Sequence, residues 1–342
     1  MSEGYLSLSS LFGLSTSTMG LDIGQHSIRV AELTKSQQHA SIKSVGEAEI
    51  PKKLIDKNQI TDIDSFVAVI RTAVANAKPN PIKAKSVVAA LPEAFIYTRV
   101  IQLPNLPPAE FKKAIPFEAS QFLPVPIEEV YYDYTTLGVR EDTGQTDLAI
   151  FAAPKTLVDG LIEAVHKSGL ELFALETKPT AITRAFLPLG VDSAVMIVEI
   201  GSETTRMTVA DHGNVWLTTS LNVGEIQLTK DIATKLHQPP EQLRKYLEQN
   251  SKQFNPDILI DVVKPITNEI ISAARYHENR DYHAAKITRV ILAGQGTTIP
   301  ELIPTIIKSL RLNCEAGKPL VTSNSDVNLK YAVALGLSMR PI

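Results

Sequence analysis

The sequence predicts an α/β fold built twice, and three observations predict it. At 342 residues the chain is long enough for about two domains of roughly 150 residues each. Strand-like alternation and amphipathic helical spacing take turns along most of it, the pattern of sheets with helices packed on them. The segment LDIGQHSIRVAEL at 21–33 also returns as VEIGSETTRMTVA at 198–210. Asp22 matches Glu199, Gly24 matches Gly201, Ser27 matches Thr204 and Arg29 matches Arg206, each 177 residues on. One strand–turn–strand unit per half marks an internal duplication.

The elements follow in order. Residues 1–18, MSEGYLSLSSLFGLSTST, lack the positive start of a signal peptide and read as a flexible leader. Leu21 and Ile23, then Ile28 and Val30, alternate on either side of a turn at Gly24, and a strand at 41–50 continues that sheet. A helix follows, capped by Asp62 or Asp64, with Val67, Ile70, Val74 and Ala77 on one face; Lys78-Pro79-Asn80-Pro81 stops it. The unbroken apolar strand at 86–91 suits a sheet covered on both faces. From Arg99 prolines cluster, and a small α+β module is expected: a strand, a helix at 109–122, strands at 130–137 and 147–153, and a helix at 155–167. A helical pattern resumes over 175–186. After the second repeat come a strand through Trp216, helices at 226–237, 240–249 and 257–278, and a strand at 289–292. A glycine turn at 293–297, a helix from Ile299 and a closing helix at 327–337 complete the reading.

Composition narrows the function classes. Apolar residues make up 44% and charged ones 21%, ordinary for a globular protein and too hydrophobic for a disordered one. Thirty-four basic residues face 37 acidic ones with no basic block, which argues against nucleic acid as a partner. Cys314, the one cysteine, rules out an intramolecular disulfide and a cysteine-based zinc site. No apolar run approaches the roughly 18 residues of a membrane span, so direct membrane insertion is not expected and a cytoplasmic location is.

A tight hairpin with an acid before it and Gly plus Ser or Thr in the turn can cradle phosphate. The glycine lets backbone N–H groups approach the anion, the hydroxyl adds a donor, and the acid can hold Mg2+ through water. Asp22, Gly24, Gln25, His26 and Ser27 make one such cradle; Glu199, Gly201, Ser202, Thr204 and Thr205 make the other. At equivalent points of a duplicated fold they can face each other across a cleft. A third turn, Gly294, Gln295, Gly296 and Thr297, lies between strand and helix, where a base or ribose could rest against backbone.

The three turns resemble the phosphate-1, phosphate-2 and adenosine motifs of the actin/Hsp70/FtsA superfamily. Residues 99–134 (RVIQLPNLPPAEFKKAIPFEASQFLPVPIEEVYYDY) and 148–171 (LAIFAAPKTLVDGLIEAVHKSGLE) closely resemble the PilM family of type IV pilus assembly proteins. So do 220–232 (SLNVGEIQLTKDI) and 331–340 (YAVALGLSMR). The stretch AIPFEASQFLPVPIEE is the most specific, and the resemblance runs over nearly the whole chain after residue 19. It implies an actin-like (ribonuclease H-like) duplicated two-domain fold with an FtsA-type 1C α+β subdomain inserted in domain 1. Subdomain 1A would hold 19–98, 171–188 and 326–342, subdomain 1C 99–170, and domain 2 (2A/2B) 189–325. It also implies a protein peripheral at the inner face of the cell membrane, binding the N-terminal cytoplasmic tail of a PilN-like inner-membrane protein. The pilus motor ATPases are a second candidate partner.

The chain departs from the family's pattern at the cleft. Glu199 stands where the family usually has Asp, and Arg206 where Asp often follows the paired threonines. Gly224-Glu225-Ile226 replaces Gly-Gly-Asp, Ser272 stands for an Arg, and Gly294-Gln295-Gly296 replaces three glycines. Each change removes or alters a nucleotide contact. ATP with Mg2+, the metal held through Asp22 and Glu199, stays open as an alternative to an idle clamp; efficient hydrolysis is not expected, and no catalytic residue is assigned.

The expected function is therefore an adaptor of a pilus, competence or secretion machine. One competing reading is an active ATPase or phosphotransferase of the same superfold, for which no added carboxylate base or sugar-binding set is found. The other is an FtsA-like division or filament protein, which would carry a basic amphipathic helix that the ending at Arg340-Pro341-Ile342 does not offer. For the partner's tail the materials lie around the end of the 109–122 helix. Phe117, Phe122 and Leu123 are apolar anchors, Pro124 and Pro126 hold the next stretch extended, and Glu118 and Gln121 can bond peptide backbone. The alternative is that both Phe residues form the small module's core.

Overall fold

The structure, a computed structural model, describes residues 18–35, 40–51, 54–56, 59–140, 142–249, 257–280, 285–323 and 328–341. Its first half opens with an antiparallel meander, β1 (Thr18–Ile23), β2 (Ser27–Lys35) and β3 (Ala40–Glu49). The hairpin of β4 (Ile55–Asp56) and β5 (Gln59–Ile60) leads into α1 (Ile63–Ala75) and then β6 (Ser86–Ala90). Next come β7 (Tyr97–Pro104), α2 (Pro108–Ser120), β8 (Val130–Val139), β9 (Gln145–Pro154) and α3 (Lys155–Lys167), then β10 (Glu171–Glu176) and α4 (Lys178–Phe186). The second half has β11 (Ala194–Ile200), β12 (Thr205–Asp211), β13 (Asn214–Leu221), α5 (Glu225–Lys235), α6 (Pro240–Gln249) and α7 (Asp257–Arg280). It ends with β14 (Ile287–Ala293), α8 (Leu302–Ser309), β15 (Cys314–Ala316) and α9 (Ala332–Ser338).

The duplication holds strand by strand. The first sheet runs β3-β2-β1-β6-β10 and the second β13-β12-β11-β14-β15. In each, three antiparallel strands are followed by two parallel ones. Asp22 sits opposite Arg29 in the first hairpin and Glu199 opposite Arg206 in the second. The module between β6 and β10 forms a separate three-stranded sheet, β7-β9-β8, in which β8 is an edge.

Each half has its own core. Met19, Leu21 and Ile23 of β1 pack with Phe66 and Ile70 of α1 and Leu157 and Leu161 of α3. Asp62 starts α1 by accepting a hydrogen bond from Ser65 N–H at 3.0 Å, which satisfies one of the free N–H groups of the first turn. In the second half Met196, Val198 and Ile200 pack against α5 and α7. A third cluster joins the halves: Ala181, Ile182 and Phe186 of α4 meet Val195, Ile197 and Ile291.

The closing helix is a wedge. α9 lies against β1 on one side and α4 on the other. A Cβ on Gly20 would run into the carbonyl oxygen of Ala334, and one on Gly336 into that of Ala181. Only glycine permits backbones this near, and β1 is buried along its whole length as a result.

Several elements differ from expectation. Residues 175–186 are not one helix: Glu171–Glu176 is β10, paired in parallel with β6, and Thr177 caps α4. The helix expected from Ile299 is delayed to Leu302, because Pro300 keeps Ile299 extended and Glu301 takes a left-handed φ of 59°. The closing helix begins at Ala332, and Val327 lies outside the described residues. So do residues 1–17 of the expected leader; Thr18 is already in β1 and buried. β15 was not foreseen, and it buries Cys314. Burial, aided by Glu315, pushes the Cys314 thiol up to about 11. Its thiolate fraction is then negligible at pH 8, so Ellman's reagent should label the folded protein very slowly and the denatured protein at once. Rapid labelling of folded protein would contradict this burial.

Candidate functional site

The two repeated turns face each other at the ends of β1 and β11. Their backbones close alike: Gly24 N–H donates to Ser27 O at 2.9 Å, and Gly201 N–H to Thr204 O at 2.9 Å. Equivalent residues then meet across the cleft, with His26 Nε2 2.7 Å from Glu203 Oε1. Arg29 reaches the third turn, donating from Nη2 to Gln295 Oε1 at 3.0 Å. The sequence-predicted residues of all three turns are thus brought together.

The two acids are already engaged. Lys178 Nζ stands 2.6 Å from Asp22 Oδ1, with both side chains almost wholly buried; the contact is an ion pair by distance, and that oxygen accepts no aligned hydrogen bond. Arg206 donates from Nη1 to Glu199 Oε2 at 2.6 Å, a pair set by their opposed positions on β11 and β12. Arg29, the counterpart of Arg206, turns instead to Glu47 at 2.9 Å. Burial raises the Glu47 carboxyl, but Arg29 and Lys330 outweigh it and hold Glu47 below its ordinary range. Glu93, in the turn after β6, has one oxygen sealed from solvent without a hydrogen-bond partner. Burial pushes its carboxyl up, against the pull of Arg206 and Lys178.

Donors at the start of α5 are committed too. The N–H groups of Glu225 and Ile226, at the start of α5, bond the carbonyls of Gly201 at 2.8 Å and Ser202 at 3.0 Å. They are the groups that would otherwise greet a phosphate at a helix N-terminus. Gly224 is required there, since a Cβ would lie 2.6 Å from Ser202 backbone. Thr205 is buried, its hydroxyl given to Val223 O at 2.6 Å, and Thr297 bonds Gly294 O at 2.7 Å. Gly294, with φ of 94°, and Gly296 pack directly on Ile200. A hydrated divalent cation needs carboxylate oxygens open to it. Asp22 and Glu199 each hold an internal cation, so the residues present do not fit Mg2+. Among the described residues no gathering of three or more His, Cys, Asp or Glu could hold a metal.

Lys178 and Glu93 were not picked out from the sequence. Lys178 did leave a signal: a cation at the first position of a helix opposes the helix dipole and calls for a carboxylate close by.

The residues proposed for a partner's tail are divided by the structure. Phe117 is 69% exposed. Phe122 and Leu123 pack on Phe111, Ile115 and Leu148 of the module's own core, and the Arg99 guanidinium lies over the Phe122 ring at 5.5 Å. Gln121 bonds Glu118 at 3.4 Å, Pro124 is exposed, and Pro126 precedes a short turn at Ile127–Glu129. A cavity of about 940 Å³ lies elsewhere, between β8, α4 and the β12–β13 turn. Tyr131, Tyr132, Leu189 and Leu320, all exposed large apolar side chains, line it. Its wall includes Glu176, held by Arg184 through two bonds of 2.8 and 2.9 Å and by Arg340.

Known proteins can now be set beside this geometry. Curated relatives include the cell division protein FtsA of Neisseria meningitidis serogroup B (strain MC58), 26% identical over 64% of this chain and 58% of that protein. FtsA of Streptococcus pneumoniae serotype 2 (strain D39) is 21% identical over 75% of this chain and 64% of that protein. The chain therefore spans about three fifths of the length of these relatives. A PilM–PilN type IV pilus biogenesis complex shares the fold with a TM-score of 0.77, at 21% identity over 94% of this chain and 97% of that one. MreB5 of Spiroplasma citri bound to ADP follows at TM-score 0.54, 12% identity, 94% and 95%. The fold is thus actin-like, duplicated, with a small α+β module inserted in the first half. The family described as "Type IV pilus assembly protein PilM" matches residues 20–342, the repeated turns, the inserted module and the closing helix included, and the chain belongs to that family.

Proposed function

We propose that this chain is an actin-like adaptor of a type IV pilus or related machine. It docks the N-terminal cytoplasmic tail of a PilN-like inner-membrane protein and is held by it at the inner face of the membrane. Family membership and the PilM–PilN complex among its structural neighbours support the partner. The observation that carries the docking role is the apolar cavity beside β8. An edge strand offers backbone N–H and C=O groups to an extended peptide, and side pockets select its apolar residues. Here Tyr132, Leu189 and Leu320 supply such a pocket next to an edge. We place the tail there and not at the end of α2, where Phe122 and Leu123 serve the module's core. No helix among the described residues is long and apolar enough to cross a membrane; in this reading the partner supplies the anchor. The committed donors and acids of the cleft favour an adaptor over a catalyst.

A synthetic N-terminal tail of a PilN-like protein tests the reading. Loss of a central anchor costs about 2 kcal/mol, roughly thirtyfold in Kd, and that is expected for Tyr132→Ala. Phe117→Ala and Gln121→Ala, each melting cooperatively, should bind as the wild type does. The reverse pattern would move the site to α2, and absence of binding by the wild-type protein would end the adaptor reading.

A further inference from the structure

The two halves of this cleft are bridged by their own side chains, His26 to Glu203 and Arg29 to Gln295. Two carboxylates stand at equivalent ends of β1 and β11, and each has gained a cation by a different route. Arg206 comes from the neighbouring strand, opposite Glu199 in register. Asp22 has an arginine opposite it as well, but Arg29 is drawn away to Glu47 and Gln295. Its place is taken by Lys178, brought over the end of β1 by α4, which α9 seats through Gly336.

We infer that Lys178 and Arg206 have taken over the role of the divalent cation, so that the clamp is self-neutralised and closes without metal or nucleotide. Lys178 lies with its ammonium 2.6 Å from Asp22 Oδ1. A hydrated Mg2+ could reach that oxygen only by expelling the ammonium, and the two cations would repel each other at this range. Asp22 and Glu199 together offer two negative charges, and Lys178 and Arg206 cancel both. The ends of the cleft are then tied directly, by His26 to Glu203 and Arg29 to Gln295. Phosphates would find the N–H groups of α5 already bonded to Gly201 and Ser202.

The test uses the full chain with Mn2+ alone as the metal probe, and ATP with either Mg2+ or EDTA as the nucleotide probe. The wild-type melting temperature should be the same in EDTA, in Mg2+ and in Mg-ATP, and equilibrium dialysis should find no bound Mn2+. Lys178→Met combined with Arg206→Met exposes both carboxylates without adding bulk, and this variant should gain Mn2+ binding and a Mn2+-dependent rise in melting temperature. Stoichiometric Mn2+ binding by the wild type, or stabilisation by Mg-ATP that EDTA removes, would overturn the inference. So would a cooperatively folded double variant that still takes no Mn2+. Should the double variant fail to fold, the wild-type measurements decide alone.

Discussion

Gly336→Ala is expected to cost about 3 kcal/mol or more, the upper end for overpacking, because the obstacle is backbone and cannot rotate away. The added Cβ would meet the Ala181 carbonyl in the middle of α4. Relief requires α9 and α4 to separate, and α9 is also pressed on β1 at Gly20. The loss should therefore concentrate in the first half, where β1, α9 and α4 meet, while the core around Met196, Val198 and Ile270 is spared. Hydrogen exchange by peptide should show β1, β6 and α4 losing protection before β11 and β14. Because α4 carries Lys178, the same change should slacken its hold on Asp22. A Gly336→Ala protein with unchanged melting and exchange would show that α9 does not wedge these elements.

The second large effect is expected at Glu176. Its carboxylate is nearly sealed, with 6% of the side chain exposed, and it accepts from both Nη atoms of Arg184 as well as from Arg340. Arg184 also donates to Gly336 O at 2.8 Å, so one acid gathers the ends of β10, α4 and α9. Removing one partner of a buried pair leaves the other charge uncompensated, at about 3–5 kcal/mol. Arg184 and Arg340 are 23% and 36% exposed, and water access puts Glu176→Ala near the low end of that range. Glu176→Gln keeps acceptor and shape and should recover part of the loss, as read from chemical denaturation. Since Glu176, Arg184 and Arg340 wall the apolar cavity, Glu176→Ala should also weaken binding of the PilN-type tail. Equal stability of the alanine and wild-type proteins would mean that the guanidinium groups find water instead.

Four strands escaped the sequence reading: β4 and β5, of two residues each, and β10 and β15, which are the same strand of the duplicated fold. Both are the last parallel strand of their sheet. β10 reads ELFALE and β15 reads CEA, text with helical propensity in one case and too short for any period in the other. The strand character of β10 and β15 comes from β6 and β14, whose paired residues lie 85–86 and 24 positions away in the chain respectively. By contrast α3 and α6 were read to the residue, since their periodicity and bounding prolines are local.

The sequence by itself determined that the protein is a duplication, where its two turns lie, and which family's inserted module separates them. Glycine, acid and hydroxyl at a fixed offset are conformational and chemical requirements written into neighbouring residues. What the turns hold was decided by tertiary structure. Arg29 and Arg206 are equivalent in sequence, yet one leaves its acid for Glu47 and Gln295 and the other stays with Glu199. Asp22 receives Lys178 from a helix 156 residues on because two glycines let α9 bring that helix down upon β1. The end of α2 followed the same rule: Phe122 and Phe117 look alike in the sequence, and packing set one against the module's core and left the other in solvent. A charge or an apolar ring acquires its role from what is folded against it, and such partners are set by long-range packing that no local pattern records.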